Sequence, residues 1–226
     1  MKPTNETMKI DFHVHTKYSV DSLSSLKSVV SACKKKNIIP AIADHNNMDA
    51  YYALRAMGFT FVPAEEISTD KGDLIGLFLN EPIEKRTSFL EALDQIKEQD
   101  AISYLPHMYD ISRGGVADEM LAKKVDIIEV FNPRCIIPGM NERAESFAIK
   151  HKKLKAAGSD AHFSIEIGNA YVEMREFNLD NPKELLKSLR NGRIVGKRAP
   201  IFFRGTGPII KTAKKLGNAM FGNSRI

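Results

Sequence analysis

The sequence predicts an α/β chain wound into a closed or nearly closed barrel, with an open parallel sheet as the alternative. Three observations carry this. Short apolar strands alternate with amphipathic helices from Met8 onward. Six or seven such units fit into fewer than 200 residues. No stretch reads as a linker, an inserted domain or an internal repeat. Barrel residues 1–198 are therefore set apart from a tail, 199–226, expected to pack on the barrel.

The elements follow in order. Met8–Phe12 reads as the first strand, and Leu23–Lys35 as a helix with Leu23, Leu26, Val30 and Cys33 at helical spacing and Lys34–Lys36 near its C-terminus, where cations suit the dipole. Ile38–Ala43 is a strand, Asp49–Met57 a helix stopped by Gly58, and Phe59–Pro63 a third strand. Leu74–Leu79 is a strand entered through the Lys71-Gly72-Asp73 turn. Ser88–Gln99 is a helix with Phe89, Leu93 and Ile96 on one face. Ala101–Leu105, Asp126–Phe131, Leu154–Ala157 and Asn169–Glu173 are further strands, with helices at Val116–Lys123 and Asn141–His151. Pro182 opens the next helix and Asn191-Gly192 closes it. In the tail, Ile209, Ala213, Leu216 and Met220 mark one face of a short helix among glycines.

Composition narrows the function classes. With 226 residues, 43% of them hydrophobic, the chain can bury a substantial core. No apolar run nears the roughly 18 residues that span a bilayer. Met1–Thr7 lacks the apolar segment of a signal peptide. Two cysteines, Cys33 and Cys135, exclude a disulfide-built scaffold and make the cytoplasm the default compartment. From Leu185 to the end there are ten basic residues and no acidic one; the other 23 basic residues face 28 acidic ones, so the front is −5 and the end +10. A basic end attracts anionic substrates, nucleic acid or lipid, or keeps the chain soluble.

Five of the six histidines fall just past strand ends. His13 and His15 follow the first strand two residues apart, so in extended chain both imidazoles meet one ion. His45 follows the second strand, Glu65 and Glu66 the third, and His107 follows Ser-Tyr-Leu-Pro; Glu129 ends Asp-Ile-Ile-Glu-Val, and Asp160 and His162 stand in Gly-Ser-Asp-Ala-His. That rim is where barrel enzymes place their chemistry. Of the adjacent Glu65 and Glu66, one should face the ions. The mixed N/O donor set suits Zn²⁺, Mn²⁺ or Fe²⁺, with Mg²⁺ a further option, and lacks the thiolates of a closed structural zinc site. His151, among lysines on a helix, reads as solvated, and Cys33 as core. Arg113 and Arg134 lie near strand-end motifs and are candidates to grip phosphate.

These residues bring out a resemblance. Asp11, His13-Val14-His15-Thr16, Tyr18-Ser19-Val20-Asp21-Ser22, Asp44-His45-Asn46, Glu66-Ile67-Ser68, Pro106-His107, Glu129-Val130-Phe131-Asn132 and Gly158-Ser159-Asp160-Ala161-His162 resemble the ordered motifs of the PHP (polymerase and histidinol phosphatase) superfamily, across about residues 8 to 196. The resemblance is to its small stand-alone metal-dependent phosphoesterases. It implies a distorted (β/α)7 barrel and two or three divalent ions. His13, His15, Glu66 and Asp160 would hold one ion, Glu66 would bridge to a second held by His107, and Asp21, His45 and His162 would surround a third. The family's usual further His or Cys ligand to the second ion has no clear counterpart here; Glu129 ranks ahead of Asn132 and Cys135 for that place.

Such ions activate water as nucleophile and neutralise charge on the leaving group. His45 or His162, where not committed as ligands, could pass a proton to the leaving oxygen. The expected reaction is hydrolysis of a small phosphomonoester or phosphodiester, nucleotide-like or a short oligonucleotide. The alternatives are a nuclease or nucleic-acid-binding protein using the basic end, a histidinol-phosphatase-like enzyme acting on a sugar or amino-alcohol phosphate, and a non-catalytic scaffold. A carbon–nitrogen hydrolase shares the HxH opening but not the Gly-Ser-Asp-Ala-His ending.

Overall fold

The computed structural model describes residues 6–200, 203 and 206–221, the last helix in part by backbone alone. Phe202, Gly205 and Gly222 of the tail lie outside the described residues. Nine strands form one mixed sheet in the order β7-β6-β5-β4-β3-β2-β1-β8-β9. They are β1 (Thr7–Val14), β2 (Ile39–His45), β3 (Val62–Ser68), β4 (Asp73–Leu77), β5 (Ile102–Leu105), β6 (Ile127–Phe131), β7 (Leu154–Ala157), β8 (Ala170–Arg175) and β9 (Arg193–Gly196). The sheet curls until a parallel bridge between Val14 and Ala161, with the His15 amide donating to the Ala161 carbonyl at 3.0 Å, brings β1 to the chain leaving β7. The result is a nearly closed barrel ringed by helices.

Strict strand–helix alternation breaks in two places. β4 pairs antiparallel with both β3 and β5, and the turn from β3 to β4 contains no helix. β8 is antiparallel to β1 and to β9, a strand absent from the sequence reading. The remaining pairs, β1–β2, β2–β3, β5–β6 and β6–β7, are parallel, so their C-terminal ends share one rim.

The helices are α1 (Leu26–Lys36), α2 (Asp49–Ala56), α3 (Phe89–Glu98), α4 (Glu119–Ala122), α5 (Met140–Lys150), α6 (Pro182–Leu189) and α7 (Gly207–Phe221). The Ser25, Ser88 and Asn181 side chains accept backbone N–H bonds at the starts of α1, α3 and α6, which satisfies amides that a helix leaves unpaired. α1 begins three residues later than its hydrophobic spacing suggests because Ser25, not Ser22, is its cap.

Side-chain alternation sets what faces the axis. Ala41 and Ala43 on β2, Val62 and Ala64 on β3, Tyr104 on β5 and Ile127 on β6 fill the barrel interior, so it is packed rather than open. The same alternation carried toward the rim places His45 after Ala43, Glu66 after Ala64 and Glu129 after Ile127 on the inner side. β1 needs a device to do this. Its Met8, Ile10 and Phe12 point inward, but the register slips between Asp11 and Val14, and Val14 joins the outer cluster with Leu26 and Val29. Past the slip His13 and His15 take the inner side.

Candidate metal centre

The rim side chains converge. His13 Nε2 lies 3.2 Å from Glu66 Oε2 and 3.1 Å from His15 Nε2, and His15 Nε2 lies 3.3 Å from the same Glu66 oxygen. Asp160 Oδ1 is 3.4 Å from His15 Nε2 and 3.8 Å from His13 Nε2. An ion held tetrahedrally at about 2.1 Å separates its ligand atoms by about 3.4 Å, close to the 3.1 to 3.8 Å separations within the His13, His15 and Asp160 trio. The donor set, two imidazoles and two carboxylates, fits a divalent cation. The other Glu66 oxygen, Oε1, is 3.2 Å from His107 Nε2, while Oε2 also meets His45 Nδ1 at 3.4 Å. Glu66 thus offers Oε2 to His13, His15 and His45 and Oε1 to His107, the arrangement a bridging carboxylate requires. Asp21 Oδ2 stands between His162 Nε2 at 3.0 Å and His45 Nε2 at 3.3 Å. Three trios could each hold an ion: His13, Glu66 and His107; His13, His15 and Asp160; His15, His45 and Glu66.

The electrostatics describe a site built around positive charge. Burial works against a charged His13, yet Glu66 and Asp160 hold its pKa well above the ordinary value. Burial opposes the charge on His45 as well, and Glu66 and Asp21 push it up to about 10. His15, buried beside His162, is pushed down to about 4. Burial raises Glu66 and Asp160, but the surrounding histidines, with Arg113 for Asp160, draw both well below the carboxylate range.

Backbone strain and close approach fix the rim. His107 and Asp160 adopt φ of 30° and 51°, left-handed values that non-glycine residues seldom occupy. A Cβ on Gly158 would stand 2.3 Å from His13 Cβ and 2.7 Å from His13 N, so only glycine lets the chain after β7 lie against β1. Two acids quoted in the sequence motifs without a role act as clamps. Asp44 accepts from the Thr16 amide and hydroxyl, each at 2.6 Å, and Asp11 accepts from the Ser159 and Gly168 amides, each at 2.8 Å. Their spacing from the histidines was the signal available for them.

Several expected residues sit elsewhere. Glu65, opposite in alternation to Glu66, points away from the ions' place; burial pushes it up to about 7 and its Oε2 accepts from the Ile83 amide at 2.7 Å. Glu129, expected as a ligand to the second ion, has its oxygens engaged by protein groups: Oε1 accepts from Tyr104 Oη at 2.7 Å and meets His13 Nδ1 at 3.3 Å, while Oε2 accepts from the His107 amide at 2.7 Å and from Asn132 Nδ2 at 2.9 Å. It lies behind His13, on the nitrogen facing away from the cluster. Asn132 ties Glu129 to Asp160, and the Cys135 thiol rests 3.6 Å from Arg113 Nη2. Among the described residues, the groups that converge with His107 are Glu66 and His13. His151 packs on Phe147 away from the cluster.

Both arginines are held by carboxylates. Arg113 donates through Nε to Asp110 at 2.9 Å and through Nη1 to Asp160. Arg134, buried, donates through Nη1 to both Glu166 oxygens at 2.9 and 2.8 Å and through Nη2 to Thr206 Oγ1 at 2.9 Å. A cavity of about 330 Å³ opens over the cluster, walled by Asp21, His45, Glu66, His107, Arg113, Arg134, Asp160, His162, Gly207 and Lys211. The last two, from α7, were not among the site residues the sequence marked, although the helix itself was expected.

A model of the PHP domain matches residues 11–129, more than half of the chain. The chain belongs to the PHP domain family. A second family model, described as PHP-associated, matches residues 138–194. An uncharacterized protein of Methanocaldococcus jannaschii is 41% identical over 185 residues, covering 79% of this chain and 75% of its own. In fold the chain is similar to the crystal structure of PsfC from Pseudomonas syringae, with a TM-score of 0.65 at 12% identity over 95% of this chain and 99% of that one. It is similar too to a two-domain protein of Bacteroides vulgatus containing a predicted PHP-like metal-dependent phosphoesterase (TM-score 0.63, 18% identity, 84% of this chain); there it spans 65% of the other chain's length. Membership of the PHP family and the three converging trios describe a metal-dependent hydrolase of the phosphoesterase type. No helix among the described residues is long and apolar enough to cross a membrane.

Proposed function

We propose that this PHP protein hydrolyses a phosphomonoester or phosphodiester of a small, nucleotide-like molecule, with two or three divalent ions, Zn²⁺, Mn²⁺ or Fe²⁺ ahead of Mg²⁺. The observation that carries this reading is Glu66 with its two oxygens turned to separate histidine groups beneath a cavity of about 330 Å³. His13, His15, Glu66 and Asp160 would hold one ion, Glu66 and His107 a second, and Asp21, His45 and His162 a third. When bound, the ions supply Lewis acidity toward phosphate oxygens and a water acidic enough to act as nucleophile near neutral pH.

The chain's own residues do the rest. Glu129 at Nδ1 of His13 fixes that proton and leaves the Nε2 lone pair directed at the cluster. Arg113, anchored at Nε by Asp110 and lining the cavity, is placed to meet a phosphate oxygen, whereas Arg134 is committed to Glu166 and Thr206 and acts as a strut. His45 and His162 stand at the cavity wall, where, in a centre that holds two ions and leaves the third place empty, either would pass a proton to the leaving oxygen. With the domain division expected at 198/199, the described residues 6–198 make up the catalytic barrel and 206–221 the segment laid on it; the two ends, 1–5 and 222–226, lie outside the described residues.

The test is turnover of a panel of aryl phosphates, nucleotides, sugar phosphates and short RNA by metal-stripped protein reloaded with each ion. Turnover restored by metal and abolished by His13→Asn and by Asp160→Asn supports the reading. Turnover that survives both substitutions, or full metal occupancy with no turnover on any ester, refutes it.

A further inference from the structure

Three arginine and lysine side chains line the cavity: Arg113, Arg134 and Lys211. The two arginines are paired with protein carboxylates. Lys211 makes no hydrogen bond or ion pair among the described residues, although it stands over a cluster of acids. Its place is imposed by α7. Residues 207, 211 and 214 fall on one helical face, and that face is fastened at both ends. At one end Thr206 is held by Arg134, and Gly207 sits so close to the cluster that a Cβ there would be 3.4 Å from Asp21 Oδ2 and 3.7 Å from His162 Nε2. At the other, Lys214 Nζ donates to the Lys17 and Ser19 carbonyls at 2.9 and 2.7 Å, beside the loop that carries Asp21. Buried Ile210 seats the helix between them. Lys211, between the two anchors, lies on the cavity wall with its ammonium uncommitted.

Resting on the phosphoesterase reading above, we propose that Lys211 is a specificity-determining residue: it binds a second anionic group, carried on the leaving-group side of the substrate, while the scissile phosphate occupies the centre below. A phosphate bound over Glu66 and Asp160 leaves the α7 side of the cavity to the rest of the substrate. A flexible, unpaired ammonium there selects for a phosphate or carboxylate and against a neutral end, without contributing to the chemistry at the scissile bond.

The experiment compares full-length, metal-loaded wild type with Lys211→Ala and Lys211→Arg on a ladder of alkanediol bisphosphates of increasing length and the matching monophosphates. A charge-assisted contact of this kind corresponds to about a tenfold change. Lys211→Ala should lose about tenfold more kcat/KM on the bisphosphates than on the monophosphates, the excess carried by KM, and Lys211→Arg should recover most of it. Equal losses on both series, or none, overturn the proposal. If the protein turns over no phosphate ester, the phosphoesterase reading fails separately. Calorimetric binding of the same ladder then decides Lys211: a preference for bisphosphate that Lys211→Ala removes supports it, and no preference overturns it.

Discussion

Replacing Glu129 by glutamine tests whether this carboxylate is a ligand or a support. Glu129 faces four polar groups: Tyr104 Oη and His13 Nδ1 at one oxygen, the His107 amide and Asn132 Nδ2 at the other. An amide cannot satisfy both sides. With its NH₂ toward His13, the imidazole loses its acceptor and moves its proton to Nε2, the nitrogen 3.2 Å from Glu66, which then has no lone pair for an ion. With its NH₂ toward His107, a buried backbone N–H is left unpaired at a cost of about 1–3 kcal/mol. Either orientation weakens the centre without removing a donor atom from it. Supporting groups of this kind typically change metal affinity by about 10- to 100-fold, or about 1.4–2.7 kcal/mol. Glu129→Gln should therefore bind as many ions per chain as wild type at saturation, by elemental analysis, with that loss of affinity in competition against a chelator. A variant that saturates one ion short would refute the reasoning and make Glu129 a ligand.

Gly158→Ala should destabilise the fold by about 1–3 kcal/mol, because the new Cβ would lie 2.3 Å from His13 Cβ and 2.7 Å from His13 N, where the chain leaving β7 lies against β1; an unchanged Tm would contradict this. Cys33 and Cys135 are each pushed up to about 12, by burial first, so a thiol-alkylating reagent at pH 8 should label neither in the folded protein and both after denaturation. Chelation should lower the Tm of loaded protein, since an ion present at 100 times its Kd adds about 2.7 kcal/mol; an unchanged Tm in excess chelator would mean that no ion binds the native state preferentially.

The fold and most of the site could be read from residue order because barrel geometry collects strand ends. His13, His15, His45, His107, Asp160 and His162 each follow or close a strand on the same rim, and ordered spacing was enough to bring them together. What spacing does not encode is depth. Glu129 has the inward alternation of its neighbours Ile127 and Phe131 but sits inside β6, one level below the rim, where Tyr104 from β5 reaches it. Strand limits failed for a related reason. The third strand begins at Val62 rather than Phe59 and runs through Glu66, because its length is set by pairing with β2 and β4 and not by the apolar run before Pro63. β9 escaped notice since its four residues show no apolar–polar alternation and are at most half-buried, although Ile194 packs on the core. The glycine-rich composition around α7 weakened the helical signal there, and with it the site's last wall.

The bridge between Val14 and Ala161 joins segments far apart along the chain; the Asp11–Ser159 bond beside it spans 148 positions. His13 and His15 stand on one side of that seam, Asp160 and His162 on the other. A cation shared by His13, His15 and Asp160 would thus be a clasp as well as a cofactor, closing the hoop where the backbone contributes least. Hydrogen exchange of the His15 and Ala161 amides should report the clasp directly, slowing when the ion enters while the paired amides of β2 and β3 keep their rates.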